Sequence, residues 1–371
     1  MRILFAGGGT GGHLYPAVAL ADALGTRAGV RFIGTQGRLE TTIVPQAGYE
    51  LRTIAAEPLQ RSASLAAIRT AAINALGVAQ ALRELRAFAP DLVVATGGYV
   101  CFPVMVAARL LRSCGLLRAR FALLEPNAQP GLTNRLLAPL VDEVWGAYDA
   151  AGAHFGKKYR RTGIPVRASL LRGRNRIEAA RRLGLDPSRK TILAIGGSQG
   201  ARTINETIAA LVTRRALPPD WQVLHVCGPR DFGYMQAEER EPFENNLVAL
   251  HAYLPDMADA YEAADLAIAR SGASTLAEFA ALGIPSILIP YPYASDDHQF
   301  RNAKVFETAR AAALLEDRSL DADSLWWTMR ELMHPERLAA MREAARSLGR
   351  RDACAAILAR IDALAARKGA A

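Results

Sequence analysis

Seven residues near the amino terminus, Gly7-Gly8-Gly9-Thr10-Gly11-Gly12-His13, carry the densest chemical signal in the chain. They follow a strand-like run from Ile3 to Ala6 and lead into a helix-like one from Leu14 onward. Glycine is costly in backbone entropy, so such density implies a close approach to the backbone or a positive φ. At a helix start, N–H groups and the helix dipole favour an anionic group or a developing negative charge. His13, directly after the loop, is a candidate general base, with a helix-capping or core histidine as the plainer alternative. Gly7, Gly9 and Gly12 satisfy G-x-G-x-x-G, but the second strand ends in Gly34-Thr35 rather than in the acid that would hold a nicotinamide ribose. No lysine follows the last glycine to complete a P-loop.

The segment Gly196 to Ala201, GGSQGA, repeats this grammar and adds the hydroxyl of Ser198; a third glycine turn, TGGYVCFP, spans residues 96–103. The densest polar stretch of the second half runs over 269–303. In it Ser271-Gly272-Ala273 follow an apolar run, Ser274 and Thr275 offer helix caps, and Glu278 falls in the first turns of the next helix. A carboxylate there can accept two ribose hydroxyls, although a favourable charge at a helix start is its commoner use. Gln299 and Asn302 supply amides of the kind that read sugar hydroxyls. Asp321 and Asp323 read as helix capping rather than as cation ligands, and Asp296-Asp297-His298 as a polar loop.

The elements that must position these residues alternate in type. Strands are expected near 2–6, 30–34, 91–95, 120–124 and 143–147, with helices between them, the longest at 65–88. The pattern restarts with TILAIGGSQGARTINETIAALV and continues through strands near 222–227, 247–250, 265–269, 286–289 and 312–315. Such alternation indicates parallel βαβ units, hence an α/β chain of two nucleotide-fold domains with glycine loops at the carboxyl ends of strands, facing a cleft. The expected domains are 1–163 and 164–346, joined by a hinge near 163–170, with a carboxyl-terminal helix in 347–371 packing back across to the first.

Composition sets the bounds. The 371 residues are 51% apolar, enough for two cores, and the net charge of +9 points to an anionic partner, whether nucleic acid, phosphorylated metabolites or an acidic membrane face. Residues 61–135 hold nine arginines against three acids, interleaved with Leu65, Ile68, Leu76, Leu110, Leu111, Leu116 and Leu117. That composition suits docking on anionic lipid, or a solvated basic face over an ordinary core. The four cysteines have no metal or C-x-x-C spacing and no signal-peptide pattern opens the chain, so a reducing cytoplasm is expected. The uncharged run Leu92–Ala108 is interrupted by Gly97-Gly98 and Pro103, and reads as strand, turn and helix start rather than as a membrane span.

Assembled in order, GGGTGGHLYP, TGGYV, EPNAQPGLTNRLLA, TGIPVR, GGSQGARTIN, RSGASTLAEFAALGIPSILIPYP and DDHQFRNA resemble the MurG family over nearly the whole chain. The resemblance implies the GT-B architecture, two Rossmann-like domains with an interdomain cleft. It implies inverting, metal-independent transfer of N-acetylglucosamine (GlcNAc) from UDP-GlcNAc to lipid I, giving lipid II for peptidoglycan, with no cofactor. It also implies a peripheral enzyme on the cytoplasmic face of the membrane, docking on anionic lipid, with no nucleic-acid partner and with cell-wall synthesis proteins as possible neighbours. By resemblance Thr10, Gly11 and Gly12 border the diphosphate and acceptor region, Asn127 and Arg167 belong to the donor site, and Ser198 contacts the diphosphate. Leu254 and Ala273 border the uracil, the turn Ala273-Ser274-Thr275-Leu276-Ala277-Glu278 holds the nucleoside with Glu278 on the ribose, and Gln299 reads GlcNAc. His13 is the base candidate. His298-Gln299 replaces the paired glutamines of some members, and Cys101-Phe102 replaces the commoner Ser-Gly. Another GT-B lipid glycosyltransferase, a UDP-sugar epimerase and a non-catalytic nucleotide-binding scaffold are the alternatives.

Overall fold

A computed structural model of the chain describes residues 1–58, 65–197, 199–214, 217–238 and 247–369. Its contacts separate two units, Met1–Arg167 with Arg351–Ala371, and Ala168–Arg350.

The first unit is a parallel sheet of β1 (Arg2–Gly7), β2 (Gly29–Gly34), β3 (Glu50–Thr53), β4 (Leu92–Gly97), β5 (Arg120–Glu125), β6 (Glu143–Gly146) and β7 (Tyr159–Arg161), in the order 3-2-1-4-5-6-7. The central strands read as unbroken apolar runs because helices cover both faces of a parallel sheet. On one face Leu4, Ala6, Val93, Ala95, Phe121 and Leu123 pack with Ala81 and Leu85 of helix Leu65–Phe88 and with Val104 and Met105 of helix Cys101–Ser113. The chain winds outward in both directions from β1 and β4, so the loops after these two strands meet at the reversal of strand order, where open α/β sheets bind ligands. The final helix, Ala353–Gly369, packs on helix Gly11–Leu24 and ties down β6 through Arg360 Nε, 3.0 Å from Glu143 Oε2. Glu143 is buried, and Arg360 and the Trp145 indole N–H hold its carboxyl below the usual range against the opposing effect of burial.

The second unit repeats the plan with β8 (Lys190–Ile195), β9 (Trp221–Val226), β10 (Val248–His251), β11 (Ala264–Ala269), β12 (Ser286–Leu288) and β13 (Ala312–Leu314), in the order 10-9-8-11-12-13. Its reversal lies between β8 and β11, which places the loop 196–201 beside the turn 270–273. Ile192, Ala194, Val223, Leu266 and Ile268 bury against Ile204, Ile208 and Leu211 of helix Arg202–Arg214.

The interior strands and the helix at 65–88 lie within about two residues of their expected positions; β3 and β7 were not expected. Both are short, charge-bearing edge strands, Glu50-Leu-Arg-Thr mostly exposed and Tyr159-Arg-Arg half-buried apart from the exposed Arg161, and lack the alternation of apolar and polar residues that marks a strand in sequence. Leu92–Ala108 forms β4, the glycine turn and the start of helix Cys101–Ser113, and among the described residues no helix is long and apolar enough to cross a membrane.

Candidate functional site

In the first unit the loops after β1 and β4 interlock. A Cβ on Gly98, which has φ +87°, would lie 2.4 Å from Gly8 O, and one on Gly7 would lie 2.1 Å from Thr96 Oγ1. The buried Cys101 thiol donates to the carbonyls of Ala6 at 3.2 Å and Gly97 at 3.1 Å, and burial pushes its pKa up to about 12. In this position it braces the two loops as an uncharged donor.

The loop's anion is internal. Glu40, fully buried, accepts the Gly9 N–H at 3.1 Å, the Thr35 N–H at 2.9 Å and the Thr35 hydroxyl at 2.6 Å. The sequence suggests N–H groups at this helix start that favour an anion; in the structure the Gly9 N–H goes to Glu40 and the Gly8 N–H to the Gly97 carbonyl at 3.4 Å. Glu40 was missed because it lies six residues beyond the end of β2. Its nearest signal was Gly34, where a Cβ would meet the Glu40 side chain at 2.6 Å.

His13 occupies the first turn of helix Gly11–Leu24. Its Nδ1 lies 3.1 Å from Gly8 O and 3.3 Å from Thr10 Oγ1, and its ring rests against Gly97, where a Cβ would fall 2.4 Å from Cδ2. A carbonyl can only accept, so in the neutral ring the proton sits on Nδ1 and the lone pair on Nε2. Tyr15, on the same helix beside Gly11, carries the Arg167 guanidinium 4.8 Å from its ring centroid. The structure thus brings Thr10, Gly11, Gly12, His13 and Arg167 to one corner of the first unit.

Asn127 follows β5 and is organised by Glu125. This buried carboxylate accepts Asn127 N–H at 2.9 Å, Asn127 Nδ2 at 3.2 Å, Gly131 N–H at 3.3 Å and Asn134 Nδ2 at 2.8 Å. Burial pushes its pKa up to about 7, opposed by the hydrogen bonds from Asn127, Asn134 and Gly131.

In the second unit the loop after β8 is closed by packing at Gly200, whose Cβ would meet Cys227 O at 2.2 Å, whereas Gly197, at φ +89°, has open space on its Cβ side. Ser198 lies outside the described residues. Asn205, buried one turn into the following helix, donates to Cys227 O at 2.8 Å and Asp231 Oδ2 at 2.9 Å and so ties the helix to the loop after β9. Sequence reading passed over it, since an Asn inside an amphipathic helix gives no distinguishing signal.

Leu254, half-buried, sits in the loop after β10. Helix Ala273–Leu282 starts at Gly272 with no side-chain cap, which corrects the expected capping by Ser274 and Thr275; both stand half-buried inside the helix. The Leu276 side chain is fully buried, so only its backbone is placed to meet a ligand. Glu278 is buried and accepts the Tyr261 hydroxyl at 2.5 Å, a partner absent from the sequence reading. Gln299 is anchored at both ends, its carbonyl accepting Ser271 Oγ at 2.8 Å and its Oε1 accepting the Tyr291 N–H at 3.0 Å. Asp321 accepts the Ser324 N–H at 2.7 Å in a capping box, the role its position suggested.

The chain matches the glycosyltransferase family 28 N-terminal domain over residues 3–145 and the family 28 C-terminal domain over 191–357. It is 40% identical, over 95% of its length and 97% of the relative's, to a UDP-N-acetylglucosamine–N-acetylmuramyl-(pentapeptide) pyrophosphoryl-undecaprenol N-acetylglucosamine transferase of Caldanaerobacter subterraneus subsp. tengcongensis. The chain belongs to the MurG family. The crystal structure of MurG from Acinetobacter baumannii superposes with a TM-score of 0.75 at 26% identity, covering 97% of this chain and 99% of that one. A UDP-GlcNAc 2-epimerase from Neisseria meningitidis superposes at 0.65 with 14% identity over 97% and 99%, a likeness of fold alone. Two Rossmann-like domains of the GT-B class are therefore common to glycosyl transfer and epimerisation, and the MurG membership rests on sequence over the full length.

Within this MurG family member, the Glu125 cluster generates a pH prediction. Its carboxyl ionises near 4.5 when unfolded and near 7 when folded, so its stabilising contribution is complete below about 4.5 and is lost as pH rises through 7. Between pH 5 and pH 8 the parent should lose up to about 3 kcal/mol of unfolding free energy that Glu125→Gln does not lose, read by urea titration at both pH values. Parallel pH slopes for parent and variant would show that Glu125 is not the buried acid responsible.

Proposed function

We propose that the protein transfers GlcNAc from UDP-GlcNAc to the C4 hydroxyl of MurNAc in undecaprenyl-pyrophosphoryl-MurNAc-pentapeptide, converting lipid I to lipid II. The reading rests on the relatives' named activity, and the observation that carries its chemistry is the His13 ring held with Nδ1 3.1 Å from Gly8 O, the geometry from which a lone pair on Nε2 follows. The acceptor oxygen attacks C1 of GlcNAc from the face opposite UDP. Its proton passes to His13 Nε2, the C1–oxygen bond to UDP breaks, and the bonding pair leaves with the diphosphate, inverting C1 to a β-1,4 linkage. Charge on the leaving diphosphate is met by the amides of the loop 196–201, the dipole of the helix behind it and Arg167, at about 3 kcal/mol for each well-placed donor. Glu278, oriented by Tyr261, takes the ribose hydroxyls, and Asn127 and Gln299 contact the donor.

The acceptor's polyprenyl tail keeps it in the bilayer, so the first unit docks on the anionic membrane surface at the cytoplasmic face. Among the expected apolar residues, Ile68, Leu76, Leu110 and Leu116 are exposed, while Leu111 and Leu117 are core and the Leu65 side chain lies outside the described residues. Several arginines are already used. Arg112 pairs with Asp142 at 3.0 Å, Arg120 reaches Asp142 at 3.6 Å, and Arg69 pairs with Glu57 at 2.8 Å. Arg109 and Arg118 are exposed and have no carboxylate partner among the described residues. With Leu110 and Leu116 they make the docking face, at about 1 kcal/mol per basic residue near anionic lipid.

Incubation with UDP-GlcNAc and a short-chain lipid I analogue should yield UDP and the β-1,4 disaccharide, with or without chelator, and His13→Ala should lower kcat by about 100-fold or more. Epimerised UDP-sugar formed without acceptor, or undiminished turnover in the variant, would contradict the assignment. In flotation with vesicles rich in anionic lipid, Arg109→Glu/Arg118→Glu combined with Leu110→Ser/Leu116→Ser should abolish co-flotation; flotation equal to that of the parent would remove this face from the membrane contact.

A further inference from the structure

The reaction uses the carboxyl ends of the strands and leaves the opposite pole of the second sheet without a role. There, beneath the starts of β8, β11 and β12, Lys190, Ala264 and Ile284 border a cavity of about 580 Å³. Six cationic side chains line it, Arg172, Arg176, Arg189, Lys190, Arg342 and Arg346, against the carboxylates of Glu262 and Asp265.

Of the two carboxylates only Asp265 is ion-paired among the described residues, so Glu262 offsets one of the six positive charges. Asp265 accepts Arg176 Nη2 at 2.5 Å and the Thr191 N–H at 2.9 Å, and Glu262 accepts the Arg174 N–H at 3.3 Å. Among the described carboxylates Arg189 reaches Asp186 at 3.6 Å and Lys190 reaches Asp220 at 3.4 Å, loose pairs of the kind that add little, and the Lys190 ammonium lies 5.4 Å from the Trp221 ring centroid. Arg346 bonds the exposed Glu343 at 2.9 Å and lays its stem on Gly283, where a Cβ would fall 2.6 Å from Nε. Arg172 and the half-buried Arg342 have no hydrogen bond or ion pair among the described residues. Gathering cations around one cavity raises their mutual repulsion unless an anion enters it.

We infer that this cavity is a binding site for a phosphate-bearing ligand, with Arg172 and Arg342 as anion contacts and the Arg176–Asp265 pair as its floor. Guanidinium forks match the oxygens of a phosphate group in geometry and charge. The volume falls within the roughly 300–1,000 Å³ of small-molecule sites, so more than the phosphate itself can be accommodated. A soluble phosphate compound and the phosphomonoester headgroup of a lipid present the same chemistry. The inference stands apart from the transfer reaction, since none of these six side chains belongs to the glycine-loop end of the sheet.

The test is calorimetric titration of inorganic pyrophosphate into the full-length protein already saturated with UDP, for the parent and for Arg172→Glu/Arg342→Glu. The parent should bind pyrophosphate, and the double variant should bind at least about tenfold more weakly while keeping its melting temperature and transfer activity. If the reversal lowers the melting temperature, Arg172→Gln/Arg342→Gln removes the charge without reversing it. Vesicles containing phosphatidic acid, compared with phosphatidylglycerol vesicles of equal charge, separate the sources, because the docking face of the first unit binds both and only the former offers a phosphomonoester. Loss of a preference for phosphatidic acid in the variant assigns a lipid headgroup; loss of pyrophosphate binding alone assigns a soluble ligand. No pyrophosphate binding by the parent, or equal affinity in the variants, overturns the site. Failure of UDP itself to bind would count against the proposed function and leave the pyrophosphate comparison intact.

Discussion

The geometry of the first unit depends on how closely the backbones after β1 and β4 approach each other. At Gly7, Gly8 and Gly98 any side chain would overlap Thr96, Glu40 or the Gly8 carbonyl, so the two loops interlock as bare backbone. Cys101 bonds both from beneath. His13 inherits its position from this contact, because its ring lies on Gly97 and its Nδ1 faces Gly8 O. A larger residue in either loop would displace the ring and release its tautomer together.

The two units apply one topology to different charges. In each, the reversal of strand order sets two loops side by side at the carboxyl ends of the strands. The first unit fills its loop from within, with the Glu40 carboxylate on the Gly9 N–H, so a second anion placed there would meet a buried negative charge. No comparable carboxylate is hydrogen-bonded to the described residues of the loop 196–201, and Gly197 presents an open side. In the proposed reaction the donor diphosphate therefore belongs to the second loop, and the first positions the base for an uncharged hydroxyl.

Much of this organisation was legible in the chain. Interior strands announce themselves as apolar runs because both faces are buried, and glycine loops stand out because few other residues tolerate their φ values and contacts. The edges β3 and β7 were not legible, since edge strands carry charges and lose the pattern. Also hidden were the partners that act at a distance in sequence. Glu40 beneath Gly9, Tyr261 on Glu278 and Asn205 on the Cys227 carbonyl are separated from what they hold by 31, 17 and 22 residues, and each is an ordinary helix residue by type. The basic segment 61–135 was legible as charge but not as surface, because only the fold reveals that Asp142 and Glu57 neutralise part of it.

The most direct measurement is a crystal structure of the protein with UDP. The diphosphate should lie within hydrogen-bond distance of backbone amides of residues 196–201, with the ribose hydroxyls on Glu278. Phosphates seated instead on the loop 7–12, against the buried Glu40 carboxylate, would contradict the division of charge between the two glycine loops.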